Sequence, residues 1–403
     1  MHALAGRFRF PVAVTVAGLA GVGVIERGSL GDYPSDAGPA IRALVGGHVH
    51  QALAVQPLMG SLAVLVRVPF ALLATALGGG DLAVYRAGAI PCVAALAVLG
   101  VALVRMTDAS RWSDALLIPA LAVLTPVSIA AFTYGHPEEA LAAALCVGAA
   151  VAAGRRAILA GILLGLALGT KQWTVLAIAP VLLATERGSR LKLIAAAAPL
   201  AVLFTLPLVA DVGAAQNVAQ STHIASRETM WFLVAHPTQL HLQLGPGLPS
   251  SVTTYPLDAW VAALSHPLIV ALSPLLTVLV WKRRDVPGAP LALLALVFLF
   301  RCVLDPADNE YYHLPLVLSL LAYETVGCRA PRRIPAATFF TVVGLWLTSN
   351  VLDMRGAPPQ LTNAVYLTCM SVVAVYLLHA LWLPALGRRF AFPAAPALAR
   401  HRT

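Results

Sequence analysis

Apolar stretches long enough to cross a lipid bilayer recur along almost the whole chain, and few folds can accommodate that pattern. A spanning helix needs about 20 mainly apolar residues, and soluble domains do not repeat such runs. Candidate spans occupy 8–25, 82–104, 114–133, 137–153, 157–169, 172–185, 191–210, 266–281, 290–304, 312–327, 335–350 and 362–386. The composition agrees: 59% of the 403 residues are hydrophobic, only 11% are charged, and the mean hydropathy is +0.81. The expected fold is therefore all-α, a polytopic membrane protein of about 12 transmembrane helices. The runs 157–169 and 172–185 are short for a bilayer about 30 Å thick, so they must tilt or be shielded by neighbours. Gly161, Gly165 and Gly169 allow close helix packing there.

Lys and Arg placement orients the chain. Most basic residues fall in 105–113, 154–156, 186–192, 282–285, 328–333 and the tail after Gly387, and most acids fall in the other loops. The positive-inside rule makes the basic loops and the C-terminus cytoplasmic, and the N-terminus with them if 57–77 does not span; moving Arg7 and Arg9 outside brings Arg27 and Arg42 inside, so charge alone leaves the N-terminus open. The net charge of +9 is thus explained by loops facing anionic lipid, and no nucleic-acid motif is visible. Met1–Ile25 has the basic start of a signal peptide but no small-x-small cleavage site, so it reads as a retained span. Pro57–Leu77 is apolar enough to span, yet as a span it would reverse every later loop. It either lies on the surface, marked by Arg67 and Pro69, or spans with the N-terminus outside. The five cysteines show no disulfide framework or metal-ligand spacing. The chain divides into a module of residues 1–210 whose first external loop is 26–81, an external loop of 211–265, and C-terminal helices in 266–403.

Polar chemistry is concentrated in a few turns on the external side. Asp32 and Asp36 follow the first span; either can act as a general base, and both also suit a turn. His136, Glu138 and Glu139 stand in Tyr134–Glu139, where the acids can bind a cation or an acceptor sugar, or open a helix behind Pro137. Lys171, one of three lysines, can meet a phosphate or snorkel beside Trp173. Arg301–His313 crowds Asp308, Asn309, Tyr311, Tyr312 and His313 into one turn, either of the kind that holds sugars or a polar turn opened by Asp-Pro with tyrosines in the aromatic belt, with Arg301 placed to pair with Asp305 or bind an anion. Residues 222–234 read as an amphipathic helix carrying His223, Arg227 and Trp231. Neither a phosphate-binding loop nor an H-x-x-x-H spacing is present, so no cofactor is expected and a divalent cation finds no support.

The segments DAGPAIRALVGG, YGHPEEALAAAL, AGILLGLALGTKQW and LDPADNEYYHLP resemble the GT-C superfamily of integral-membrane glycosyltransferases. They are most similar to its bacterial alpha-mannosyltransferase-like branch, glycosyltransferase family 87. The resemblance implies a GT-C-like fold with external juxtamembrane helices after the first span, which favours the surface position for 57–77. It implies transfer of a hexose (mannose-like) or pentose, with inversion, from a polyprenyl-phosphate donor to a membrane-lipid or cell-wall glycan acceptor on the external face. It assigns the base to Asp36, with Asp32 as alternate, and the second acidic motif to Glu138 and Glu139 beside His136. The donor phosphate falls to Lys171, with Arg301 or Arg227. Asp308, Asn309, Tyr311, Tyr312, His313 and Trp231 would hold sugar. The second motif lacks the Asp-x-Asp of metal-dependent members. Two other readings stay open: a lipid-linked-sugar transporter or flippase, and a non-catalytic relative.

Overall fold

The computed structural model describes residues 2–55, 57, 59–107, 112–210, 223–241, 251–328 and 334–382. The chain is helical nearly throughout. A first helix, α1 (His2–Arg27), is followed by four short ones, α2 (Ala37–Val45), α3 (Val49–Ala54), α4 (Ser61–Leu65) and α5 (Val68–Ala76), and by the long α6 (Asp81–Met106). Next come α7 (Trp112–Val123), α8 (Pro126–Thr133), α9 (Pro137–Ala153), α10 (Ala157–Leu168), α11 (Ile178–Ala184) and α12 (Arg190–Ala210). The last five are α13 (Ala259–Val280), α14 (Ala289–Leu304), α15 (Leu314–Ala322), α16 (Ala336–Leu345) and α17 (Pro359–Trp382).

The expected spans are mainly helical where they are described, with 114–133 broken at Leu124–Thr125 between α7 and α8, and the elements differ in length. Among the described residues, seven helices are long and apolar enough to cross a membrane, including Phe8–Arg27, Asp81–Met106 and Ala259–Arg283. Others, such as Ala157–Leu168 and Ala289–Leu304, are shorter. Some of these lie inside: α14 is buried on almost every side, and α9 and α15 are buried with it. A helix apolar all round belongs in the centre of a bundle. The loop 211–265 is described only in part, since 211–222, 242–250 and the tail beyond Trp382 lie outside the described residues.

Two findings correct the expectations. Pro57–Leu77 is not one helix: it breaks between α4 and α5 at Val66–Arg67, and neither piece has the length of a crossing. In 222–234, Thr222 is outside the described residues and the rest is turns plus one 3₁₀ turn, Met230–Leu233. This segment is tied to the rest of the fold by hydrogen bonds. Ala225 N–H donates to the Tyr255 carbonyl, Ser226 N–H to the Pro306 carbonyl, and the Trp231 indole to the Leu304 carbonyl. Beyond it, β1 (Thr238–His241) and β2 (Ser251–Thr254) pair antiparallel with Thr238 opposite Thr254.

The turns sort into two ends. At one, Arg9 bonds Thr107 and pairs with Asp114 at 3.5 Å, joining α1, α6 and α7. There too, Arg190 donates to the Leu182 carbonyl and lies over the Trp281 ring. At the other end, the loop after α1 meets the turn between α8 and α9, and Gly60 and Leu62 N–H groups donate to the Thr170 and Gly169 carbonyls. The turn after α10 is placed by tight packing of α10 on α12. A β-carbon on Gly161 would lie 2.3 Å from the Leu193 carbonyl oxygen, and one on Gly165 would lie 2.5 Å from that of Ala197. Only glycine lets the two backbones approach so closely. Gly165→Val should therefore overpack this seam, at about 1–3 kcal/mol, and lower the thermal midpoint of the purified protein in detergent.

Candidate active site

The site begins with two interlocked turns. Gly31 and Gly135 both have positive φ, at 46° and 91°. A β-carbon on Gly31 would come within 2.2 Å of the Tyr134 carbonyl carbon, and one on Gly135 within 2.5 Å of the Leu30 carbonyl oxygen. Side chains other than hydrogen are excluded by both space and conformation. Asp32 N–H donates to the Tyr134 carbonyl at 2.9 Å, fixing the turns against each other. As a result the two aspartates reach a histidine more than a hundred residues away. His136 Nε2 lies 3.2 Å from Asp32 Oδ2, and Nδ1 lies 3.5 Å from Asp36 Oδ2. Asp36 occupies the N-cap position of α2 but its side chain makes no capping bond. Its carboxylate faces the site instead.

Glu138 is the hub. Its side chain is fully buried at the start of α9. One oxygen takes Arg67 Nη1 at 3.2 Å, and the other takes Lys171 Nζ and His136 Nδ1, each at 3.1 Å. Lys171 also pairs with Glu139 at 3.3 Å, and the Trp173 indole donates to Glu139 at 2.8 Å. The arginine is the residue that sequence reasoning missed. It was read as a surface marker, yet it has no exposure, and its guanidinium lies over the rings of Tyr33 and Tyr85. The available signal was an arginine inside an apolar run, which in a membrane chain implies a partner.

Burial and neighbouring charges both shift the titrations, and the stronger sets each direction. Asp36 is raised above the usual aspartate range, because burial outweighs the lowering pull of Lys171. His136 is raised: burial opposes its imidazolium, but the hydrogen bond and charge of Glu138 prevail. Lys171 is raised as well, since Glu138 and Glu139 overcome burial.

A cavity of about 640 Å³ opens beside this network. Asp32, Asp36, His136, Glu139 and Lys171 form one wall; Arg301, Asp305, Asn309, Tyr311 and Tyr312 form another; Val175, Leu176, Ile269 and Val270 make an apolar side. Arg301 does not pair with Asp305 as its spacing allowed. It donates to the Tyr312 carbonyl at 3.0 Å and is sandwiched between the Trp173 and Tyr312 rings, 4.7 and 4.5 Å away. Asp305 faces His266 at 3.6 Å. The His136 ring stacks on Tyr311 with centroids 5.0 Å apart.

Four expected site residues lie elsewhere. Arg227 pairs with Asp353, and its backbone carbonyl accepts from Asn363, away from the cavity. Trp231 is held by the Leu304 carbonyl and packs edge-on against Trp260. Asp308 and His313 are on the cavity turn but outside the cavity lining, buried behind it near Tyr366. Asp36, His136 and Glu138 offer atoms close enough to hold a metal ion, but Glu138 already receives Arg67 and Lys171. The arrangement thus joins a half-buried carboxylate and a cation-bearing wall around one lipid-compatible cavity. Arg67→Met should strand part of the Glu138 charge and cost about 3–5 kcal/mol. Thermal unfolding in detergent checks this, with a smaller loss expected in Arg67→Lys.

The family model described as glycosyltransferase family 87 matches residues 60–306. That stretch contains Arg67, His136, Glu138, Glu139, Lys171, Arg301 and Asp305, whereas Asp32, Asp36 and the turn after residue 306 lie beyond it. No curated protein and no solved structure matches the chain.

Proposed function

The chain belongs to glycosyltransferase family 87, and from that premise we propose a membrane-embedded glycosyltransferase that takes a mannose-like hexose, or a pentose, from a polyprenyl-phosphate donor. The acceptor is a hydroxyl of a membrane lipid or cell-wall glycan, and the site faces the external side. One observation carries the reading: Asp36 and Arg301 line the same cavity, together with an apolar side that suits a lipid chain.

In this reading Asp36 takes the proton of the acceptor hydroxyl while the hydroxyl oxygen attacks the anomeric carbon. The bond from that carbon to the lipid phosphate breaks from the opposite face, which inverts the configuration, through an oxocarbenium-like transition state. The phosphate leaves with the electron pair and needs a cation rather than an acid. Arg301 takes the larger part, because the Lys171 ammonium is held between Glu138 and Glu139. Lys171 then acts mainly by holding the acidic wall in place. Asn309, Tyr311 and Tyr312 present amide, hydroxyl and ring faces to the sugar. His136, as an imidazolium between Asp32, Asp36 and Glu138, adds to Lys171 in opposing the burial that raises the Asp36 pKa.

Two measurements test this. Purified protein in vesicles, given radiolabelled polyprenyl-phosphate sugars and native membrane lipids, should transfer label. Asp36→Asn should cut the rate about 10²–10⁴-fold, the usual range for a lost general base. Lipid binding without transfer by the wild type would instead point to transport. The second test uses pH. With its pKa raised, Asp36 loses its basic form as pH falls through a value above the ordinary aspartate range, so kcat/KM should drop on that acid limb. His136 lowers the Asp36 pKa by its charge, so His136→Gln should move the limb to higher pH. An unmoved limb would remove His136 from this role.

A further inference from the structure

The turn that closes the cavity has a second, hidden face. Asp305, Asn309, Tyr311 and Tyr312 face the cavity, while Asp308 and His313 are buried behind the turn, against Cys302 of α14 and Tyr366 of α17. Cys302 Sγ, a carboxylate oxygen of Asp308 and a ring nitrogen of His313 all lie within 4.8 Å of one another. The three residues are 0%, 3% and 1% exposed.

Two independent features point to a ligand at their centre. First, neither oxygen of Asp308 takes a well-directed hydrogen bond among the described residues, although the Tyr366 hydroxyl and the Asn309 N–H act on this carboxyl. Its ionic neighbour is His313 Nε2 at 3.3 Å, and that nitrogen makes its own hydrogen bond to the Tyr366 hydroxyl at 2.9 Å. The other buried carboxylates have partners. Glu324 accepts from Ala337 and Thr338, Asp114 pairs with Arg9, and Asp305 accepts from Ala307 N–H. A buried carboxylate with so few well-directed donors is costly, and such a group has room for a further partner. Second, His313 Nδ1 lies 3.1 Å from the Glu310 carbonyl oxygen. A carbonyl can only accept, so Nδ1 carries the proton and the one lone pair of Nε2 accepts the Tyr366 O–H; an ion bound at Nε2 takes the place of that hydrogen bond. An Nδ1–H held by a backbone carbonyl is the arrangement by which metal-binding histidines are usually oriented.

We propose that Cys302, Asp308 and His313 bind a divalent cation of the zinc class, with Sγ as thiolate, a carboxylate oxygen and Nε2 as ligands. The thiol proton is released on binding, and Tyr366 borders the fourth position. Thiolate, imidazole and carboxylate are the donor set this ion prefers. Two anionic ligands and a dication sum to zero charge, which suits a dry interior. The ion joins the end of α14 to both ends of the 308–313 turn, and so fixes the wall that carries Asn309, Tyr311 and Tyr312.

The test needs no transfer assay. Full-length protein purified in detergent without chelators should hold about one such ion per chain, measured by mass spectrometry of the metal. Exchange with cobalt(II) should produce a thiolate-to-metal charge-transfer band in the near ultraviolet. Cys302→Ala and Asp308→Asn should each lose the ion, and Cys302→Ala the band, while Cys146→Ala, which alters a buried cysteine of α9, should keep both. Wild-type protein that holds no stoichiometric metal and takes up no cobalt would overturn the proposal without recourse to any variant. So would retention of the ion in both ligand variants, or its loss in Cys146→Ala.

Discussion

The buried carboxylate of Glu138 organises the site. In a chain with 11% charged residues, one carboxylate gathers Arg67, Lys171 and His136 within 3.2 Å. Each comes from a different part of the fold: a break between two short helices, a turn after α10, and the turn that opens α9 itself. Charges taken out of water are tolerable only when their partners are close and well directed. The network therefore specifies where three segments must sit. Through His136 it extends to the aspartates of the first loop, and through Lys171 and Glu139 to Trp173 and the Arg301 sandwich.

Helix positions were legible in the sequence because they depend on local runs of apolar residues. The aspartates, His136, the two glutamates and Lys171 were legible as well, since polar groups stand out against such a background, and the fold brings them to one cavity or its rim. What failed was pairing across distance. Arg67 is 71 residues from Glu138, and nothing local joins them. Arg227 and Trp231 sat in a segment with amphipathic spacing, but their contacts to Asp353 and the Leu304 carbonyl belong to the tertiary fold. The Cys302–Asp308–His313 group was hidden for a related reason: its spacing follows a helix end and a 3₁₀ turn, not a recurring motif.

Two kinds of cation serve the cavity. Lys171 is a point charge whose partners already surround it, whereas Arg301 offers a planar guanidinium whose carbon lies 4.7 and 4.5 Å from the centroids of two rings. Guanidinium suits such a position because it is weakly hydrated and stacks on aromatic faces, which a lysine would not do as well. The geometry separates the charge that builds the wall from the charge available at its surface.

The break at Arg67 has a consequence for how the chain is made. Residues around it are apolar enough to enter a bilayer, but Glu138 is synthesised 71 residues later. In the interval, a helix through this region would carry a guanidinium into lipid with no counter-ion, at about 2.5–3.5 kcal/mol on an insertion scale. A segment left at the water boundary until α9 is made would escape that cost, so the arginine makes early insertion of this stretch unfavourable.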